Sequence, residues 1–277
     1  MTEKDFQFLK WKVRRLIGID LDAYKPEQMR RRINNFVQYK SNGDYASFCR
    51  TLERNEDLLR DFADMLTINV TEFFRDSPVF ETLGQEVLPA LLREKASLKI
   101  WSAGCSRGSE AYTVAMLLES LGGSSSHSIV ATDIDKAALA TARQAGPYAL
   151  AEVKNVPQPF LTRYFKAEQD RYFMTIKPRV RFLEHNLLQD VFERGFDLIL
   201  CRNVMIYFTA EARRGIMRSF FEALRPGGML LLGTTEAIMP ADNAGLTRIG
   251  PSLYRKPAYP SPSKGSALPH VTSPAVQ

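Results

Sequence analysis

The chain of 277 residues is poor in cysteine and histidine. Its three cysteines, Cys49, Cys105 and Cys201, are an odd number at wide spacing, which supports neither a disulfide framework nor a zinc site. Its three histidines, His127, His185 and His270, leave few bases for serine-based catalysis. Long apolar runs are missing too. None approaches the roughly 20 residues of a membrane span, and Met1-Thr2-Glu3-Lys4-Asp5 lacks the basic-then-apolar order of a signal peptide. A cytoplasmic protein without direct membrane insertion is therefore expected. Zinc-finger and RNA-binding signatures are also lacking, so nucleic acid is not an expected partner.

What remains is an ordinary soluble composition, 45% hydrophobic and 25% charged, with enough chain for one large or two modest domains. The net charge of +6 leans toward anionic partners. The organising stretch is Ile100-Trp101-Ser102-Ala103-Gly104-Cys105-Ser106-Arg107-Gly108-Ser109-Glu110-Ala111-Tyr112. It reads as a strand, a glycine-bearing turn and the start of a helix. Gly104 and Gly108 permit a tight turn and close approach of a ligand to bare backbone, at the place where open α/β sheets bind ligands. The turn lacks G-x-G-x-x-G and G-x-x-x-x-G-K-[ST], and Glu110 would repel a phosphate. A carboxylate there suits the cationic ammonium and sulfonium of S-adenosylmethionine instead.

In chain order, residues 2 to about 66 read as helical, with Phe6, Leu9, Val13, Leu16 and Ile17 at helical spacing and Asp44 as a cap. From Lys10 to Lys40 there are nine basic residues against three acidic ones, either a solvated face or a docking surface for an anionic partner. Leu66 to Asp76 is a linker with a hydrophobic plug, in which Arg75 beside Phe73 and Phe74 can fix a carboxylate. A second strand, Ser128–Thr132, ends at Asp133, which suits two ribose hydroxyls; Asp135 is then the helix cap. Asp133 follows Gly108 by 25 residues, close to the roughly 20 of dinucleotide folds.

Beyond Pro147 the pattern loosens, and Arg171–Ile176 and Val180–Leu183 read as short antiparallel strands of a small β insertion. Phe196–Cys201 and Met229–Gly233 read as buried strands, separated by a helix over 209–224 that ends at Arg225-Pro226-Gly227-Gly228. Leu246–Ile249 and Leu253–Arg255 close the sheet as a hairpin, and the Pro/Ser-rich tail is expected to be disordered.

Four motifs in order carry a resemblance: Thr67-Ile68-Asn69-Val70-Thr71-Glu72-Phe73-Phe74-Arg75; Trp101 to Ser106 with Gly108 and Glu110; Ala131-Thr132-Asp133-Ile134-Asp135; and Cys201-Arg202-Asn203-Val204-Met205-Ile206-Tyr207-Phe208. To about residue 256 the chain resembles the chemotaxis receptor methyltransferases, the CheR family of protein-glutamate O-methyltransferases. The fold implied is α/β, a Rossmann-like class I methyltransferase sheet with a small antiparallel β insertion, preceded by an all-α N-terminal domain. The corresponding boundaries are 1–72 for the helical domain, 73–256 for the methyltransferase domain with its insertion at 150–183, and 257–277 for the tail. The resemblance implies S-adenosylmethionine as cofactor and S-adenosylhomocysteine as product, with no metal. Asn69, Thr71, Arg75, Glu110, Asp133, Asn186, Leu187, Arg202 and Asn203 would surround the cofactor, with Ala103 and Gly104 at the turn. Tyr207 would lie near the methyl group, so Arg75 and Tyr207 are the candidate catalytic residues. The basic N-terminal helices would face the cytoplasmic helical methylation region of a chemoreceptor, and a monomer is expected.

Two departures stand out. Arg107-Gly108-Ser109-Glu110-Ala111-Tyr112 replaces the frequent Thr-Gly-Glu-Glu-Pro-Tyr. The segment Lys166–Val180 contains no glycine, unlike the longer loop of members that grip a receptor's C-terminal peptide, so no such tether is expected. The chemistry fits the residues, because a glutamate of reference pKa about 4.3 is already ionised near neutrality and needs no general base. Three rivals compete with this reading. Gly104-Cys105-Ser106-Arg107-Gly108 spells a hydrolase nucleophile elbow, for which only His185 is a serviceable base. A nucleobase methyltransferase would want Asp/Asn-Pro-Pro-Tyr where Arg202-Asn203-Val204-Met205 stands, or Cys201 as nucleophile. A binding module that senses S-adenosylmethionine without catalysis is the third.

Overall fold

The computed structural model describes residues 2–122, 127–175, 179–239 and 242–258. The tail from residue 259 lies outside them, as does Ile176 of the strand expected at 171–176. The N-terminal part consists of α1 (Glu3–Ile17), α2 (Pro26–Ser41), α3 (Tyr45–Leu52) and α4 (Glu56–Thr67). Each start has a local cause. Thr2 and Asp5 bond each other's backbone in a capping box, Pro26 opens α2, and Asp44 and Asn55 accept from Ser47 N and Leu58 N at 2.8 and 2.9 Å. Phe6, Leu9 and Val13 turn one face of α1 onto Ile33, Val37, Phe48, Leu52 and Phe62, all buried. Each such side chain contributes roughly 1.5–3 kcal/mol by leaving water.

Not all of the basic run reaches solvent. Lys12 is buried, with its Nζ 2.8 Å from both the Cys49 carbonyl and Glu53 Oε1. Lys10, Arg30 and Lys40 pair with Asp22, Glu3 and Asp61, and Arg32 donates to the Met65 carbonyl. Arg14, Arg15, Arg31 and the paired Lys40 are the exposed cations of this stretch, with Arg14 Nη1 3.6 Å from Asp20 Oδ2.

After the linker come α5 (Ser77–Thr82), a π-helical turn (Leu83–Val87) and α6 (Leu88–Glu94), whose Phe80, Leu83, Leu88 and Leu91 join the core on one side of the sheet. The remaining elements are β1 (Lys99–Ala103), α7 (Ser109–Ser120), β2 (Ser128–Asp133), α8 (Lys136–Gln144), β3 (Tyr148–Ala149), α9 (Leu150–Val153), α10 (Gln158–Tyr164), β4 (Phe165–Glu168), β5 (Arg171–Met174), β6 (Arg181–Glu184), β7 (Phe196–Cys201), α11 (Ala210–Ala223), β8 (Leu224–Leu232), β9 (Thr247–Arg248) and β10 (Leu253–Arg255). The main sheet has seven strands in the order β6-β2-β1-β7-β8-β10-β9. β6 through β8 are parallel, and β10 and β9 add an antiparallel edge. Strand order reverses between β1 and β7, and a crevice opens at such a reversal beyond the carboxyl ends of the strands.

Two strand assignments need correction. Val180–Leu183 was expected to be an antiparallel partner of the insertion, but β6 pairs in parallel with β2, from Val130 opposite Arg181 to Asp133 opposite Glu184. The small sheet is instead β3-β5-β4, and its β4 directly follows α10. A four-residue strand carries no information about which sheet will take it; β6 goes where Phe182 is buried beside Tyr112. The Arg225–Gly228 segment, expected as a turn ahead of the strand, lies inside β8, where pairing with β7 shifts register between Phe196 and Leu198.

Candidate functional site

One cavity sits over the reversal point. It is lined by the linker (Thr67–Glu72, Arg75), the β1 turn (Gly104–Ser106, Glu110), the β2 tip (Asp133, Ile134), the β6 end (His185–Leu187), the β7 end (Arg202–Val204, Tyr207, Phe208) and Tyr24. Every sequence-predicted site residue except Ala103 lines it: Asn69, Thr71, Arg75, Gly104, Glu110, Asp133, Asn186, Leu187, Arg202, Asn203 and Tyr207. Ala103 is fully buried in the core beside the sheet, so its side chain does not form the wall.

The β1 turn is tied down by β2: Gly104 N and Cys105 N donate to the Thr132 carbonyl at 2.8 and 2.9 Å. Gly104 has φ +79°, and a Cβ there would stand 2.5 Å from Val204 Cγ2. The turn thus brings bare backbone against the β7 loop, a use that only glycine permits. Ser106 N donates to Asp133 Oδ2 at 2.7 Å, and Asp135 N to Asp133 Oδ1 at 2.9 Å. Asp133 is therefore oriented rather than free; a carboxylate with about four lone-pair sites retains acceptor capacity for two hydroxyls. Asp135 caps α8 as expected, accepting from Ala137 N and Ala138 N at 2.8 and 2.9 Å.

Asn69 braces rather than projects. Its amide donates to Asp135 Oδ2 at 2.5 Å and to Thr67 Oγ1 at 3.1 Å, and its carbonyl accepts from Ser106 Oγ at 2.9 Å. Linker, β1 turn and β2 tip are joined by this one side chain. Ser106 consequently bonds an asparagine, while His185, on the same cavity, packs its ring against Trp101 and Phe192, so the Ser–His pair of a nucleophile elbow is not formed.

At the other end, Glu110 Oε1 accepts from Ser102 Oγ at 2.7 Å, and Arg202 Nη1 stands 3.5 Å from Glu110 Oε2. Burial pushes the Glu110 carboxyl above the usual glutamate range, against the pull of Arg202 and Ser102. Burial raises Asp133 in the same sense, opposed by the backbone N–H groups of Asp135 and Ser106. Glu110 and Asp133 are half-buried, and a carboxylate penalised by desolvation is held in its ionised form by a cationic ligand. Arg202 is itself buried: Nη2 donates to Asp76 Oδ2 at 2.7 Å and to the Arg75 carbonyl at 2.8 Å, the guanidinium lies over Phe80, and Nε has no partner among the described residues. Arg75 Nη1 donates to the Val70 carbonyl at 2.9 Å. Asn186 Oδ1 accepts from Leu188 N at 2.9 Å and shapes the turn after β6. Burial lifts the Cys201 thiol well above its ordinary range, which argues against it as a nucleophile.

Sequence reasoning missed four contributors. Ser102 and Asp76 engage Glu110 and Arg202 as described. Tyr24 reaches the cavity from the helical part, its ring 5.0 Å from Phe208. Burial, with Asp133 and Asp20 nearby, pushes its phenol up to about 12. Tyr24 and Phe208 also form an antiparallel bridge, flanked by Lys25 N donating to the Tyr207 carbonyl at 2.9 Å and Thr209 N to the Ala23 carbonyl at 2.8 Å. Glu236, the fourth, bonds the loop after β7 from behind. Its sequence signal is Gly233-Thr234-Thr235-Glu236 directly after a buried strand.

Fold and site together define a Rossmann-like methyltransferase whose cofactor is S-adenosylmethionine. Residues 69–250 match the family description "CheR methyltransferase, SAM binding domain", and residues 4–67 match "CheR methyltransferase, all-alpha domain". The "Chemotaxis protein methyltransferase" of Listeria monocytogenes is 38% identical over 257 residues, covering 92% of this chain and 98% of that protein. Its Listeria innocua namesake is 37% identical over the same shares, and "Chemotaxis protein methyltransferase 1" of Pseudomonas aeruginosa is 35% identical over 84% of this chain and 90% of that protein. The chain belongs to the CheR methyltransferase family. Among the described residues no helix is long and apolar enough to cross a membrane, and no group of three or more His, Cys, Asp or Glu is placed to hold a metal ion.

Proposed function

We propose that this protein methylates glutamate side chains of chemoreceptors, giving glutamate methyl esters for sensory adaptation. The observation that carries the reading is the half-buried Glu110, held by Ser102 and faced by Arg202 in the cavity that Asp133 also lines. Bound there, S-adenosylmethionine supplies an activated methyl group and leaves as S-adenosylhomocysteine. Glu110 accepts the ammonium end, Asp133 with Asn186 and Leu187 holds the ribose and adenine side, and Gly104 gives backbone access between them. Thr71, Asn203 and Arg202 complete the enclosure, with Asn69 fixing the linker to the β1 turn.

The substrate carboxylate is its own nucleophile, so the chain need not remove a proton. Its residues must align the carboxylate oxygen and exclude the water that hydrates it. Arg75 and Tyr207, half-buried on the cavity wall, have the chemistry to do both. A bidentate pair with Arg75 would also stabilise the ground state, so Arg75 serves cofactor placement as much as rate.

The partner is the acidic helical methylation region of a receptor, met by the exposed cations Arg14, Arg15 and Arg31 of the N-terminal helices, with the enzyme acting as a monomer. No receptor C-terminal peptide is gripped: the β4–β5 hairpin turns in the two residues Gln169 and Asp170, without the long glycine loop. Incubation with methyl-labelled cofactor and receptor cytoplasmic fragments tests the reading. Base-labile label on the receptor supports the ester. Label on nucleic acid, or on nothing while cofactor still binds, overturns it in favour of a nucleobase methyltransferase or a sensor.

A further inference from the structure

The loop after β7 carries three of the cavity's functional groups, Arg202, Asn203 and Tyr207, and it starts in a left-handed conformation that is one of several open to an isolated asparagine. Asn203 has φ +60°, in the left-handed region, which asparagine adopts more readily than other non-glycine residues but still less readily than a right-handed turn. Something must hold it there. Behind the loop lies the Glu236 side chain, 7% exposed and outside the cavity wall. Its Oε2 accepts from Asn203 N at 2.6 Å and from Gly233 N at 2.8 Å, and its Oε1 accepts from Ile206 N at 3.1 Å. Both ends of the segment that bears the cavity residues are thereby bonded to one carboxylate on the neighbouring β8 loop.

We infer that Glu236 is a positioning residue for the methyl-transfer site: it sets the distance between the Arg202–Tyr207 wall and the Glu110–Asp133 wall without touching cofactor or substrate. Three N–H donors converge on the side chain, which suits an acceptor-only carboxylate and no amide. Glutamine keeps one acceptor oxygen and turns an NH2 group toward a backbone N–H. Gly233 is part of the same device. A Cβ there would stand 2.4 Å from Glu236 Oε2 and 3.0 Å from Asn203 N, so the carboxylate reaches the loop only because residue 233 has no side chain. Loss of the anchor frees the loop to relax from its left-handed start, and small displacements at a reacting centre are costly, about 100-fold for 1 Å.

The inference rests on the proposed methyl transfer but is testable apart from it. Full-length wild type, Glu236→Gln and Gly233→Ala are compared by hydrogen–deuterium exchange, by calorimetric titration with S-adenosylhomocysteine, and by transfer to a receptor cytoplasmic fragment. Exchange across Asn203–Phe208 is expected to rise about tenfold in both variants while β1 and β7 stay protected. Affinity for S-adenosylhomocysteine should fall about tenfold, and kcat at saturating cofactor should fall by a similar factor, with KM for the receptor fragment unchanged. A general loss of stability would instead expose β1 and β7 together with the loop. The inference is overturned by unaltered loop exchange in both variants, or by faster loop exchange with wild-type affinity and turnover. Should wild type itself transfer no methyl group, the functional proposal falls, and exchange with product affinity still decides the role of Glu236. Glu236→Ala, which removes both acceptor oxygens, should exceed Glu236→Gln in every readout; Gly233→Ala keeps the test open if it does not fold.

Discussion

Ser102 Oγ lies 2.7 Å from Glu110 Oε1, and the serine comes from the end of strand β1, just before the glycine bend whose helix carries the glutamate. The carboxylate is thus aimed by its own strand–turn–helix unit, and only its second oxygen is left to face Arg202.

That arrangement gives a pH dependence with a definite sign. Burial raises the Glu110 pKa, so the ionised form that attracts a cation is fully populated only above a window displaced upward from 4.5. Affinity for S-adenosylmethionine should rise with pH through that window, and binding within it should release protons. Calorimetry in buffers of different ionisation enthalpy measures the release. Glu110→Gln should weaken binding about tenfold at pH 7, the scale of one charge-assisted contact, and flatten the profile. A variant with the wild-type slope would assign the dependence to Asp133, which burial also raises.

Gly104→Ala adds a methyl group to a residue at φ +79° that would meet Val204 Cγ2. Backbone strain and contact together cost about 1–3 kcal/mol. Cofactor affinity should drop by about an order of magnitude, with a smaller loss in melting temperature; unchanged affinity would show that the cofactor does not approach the turn.

Tyr24→Ala removes a cavity wall supplied by the helical part and its edge contact with Phe208. Cofactor affinity is expected to fall several-fold while the helical content holds, because the core of the four helices is built on Phe6, Leu9, Ile33 and Phe48 rather than on Tyr24. Circular dichroism beside a titration separates the two effects.

Asp197 anchors the amino end of β7, the central strand of the sheet, away from the cavity at its carboxyl end. Fully buried, it accepts from Lys99 N at 2.7 Å, from Arg225 Nε at 2.5 Å and from Lys95 Nζ at 3.0 Å. Burial alone would raise its pKa, but these donors reverse the balance and leave it below 3.8. Its contribution is therefore present above pH 3.8 and is lost as acid titrates it through the depressed value. Asp197→Ala should cost about 1–3 kcal/mol in urea denaturation at neutral pH, since it leaves the Lys99 N–H without its acceptor, while Lys95 stays open to water and Arg225 keeps Glu94.

The parts legible in the sequence were those whose cause is local. A glycine bend after an apolar strand, an acid at the next strand's tip and Asp135 as a cap each depend on neighbours within a few residues, and the structure brings Gly104, Asp133 and Glu110 to one cavity. What escaped depends on distant chain. Asp76 meets Arg202 across 126 residues, Glu236 meets Asn203 across 33, and Tyr24 reaches the cavity only because the helical part packs on Phe208. β4 leaves no strand pattern in the sequence because Phe165-Lys166-Ala167-Glu168 places one apolar residue inward and follows a helix without a break. The basic run from Lys10 to Lys40 reads as a stripe of charge, but Lys12 is turned inward to Glu53, which no count of residues reveals.

The backbone bridge between Tyr24 and Phe208, with its bonds from Lys25 to Tyr207 and from Thr209 to Ala23, has a consequence for anyone recombining such enzymes. A chimera joined only at the linker would inherit one seam and break the other. Transplanting the helical module from a relative should preserve turnover only when residues 23–25 and 207–209 are carried over as a matched pair.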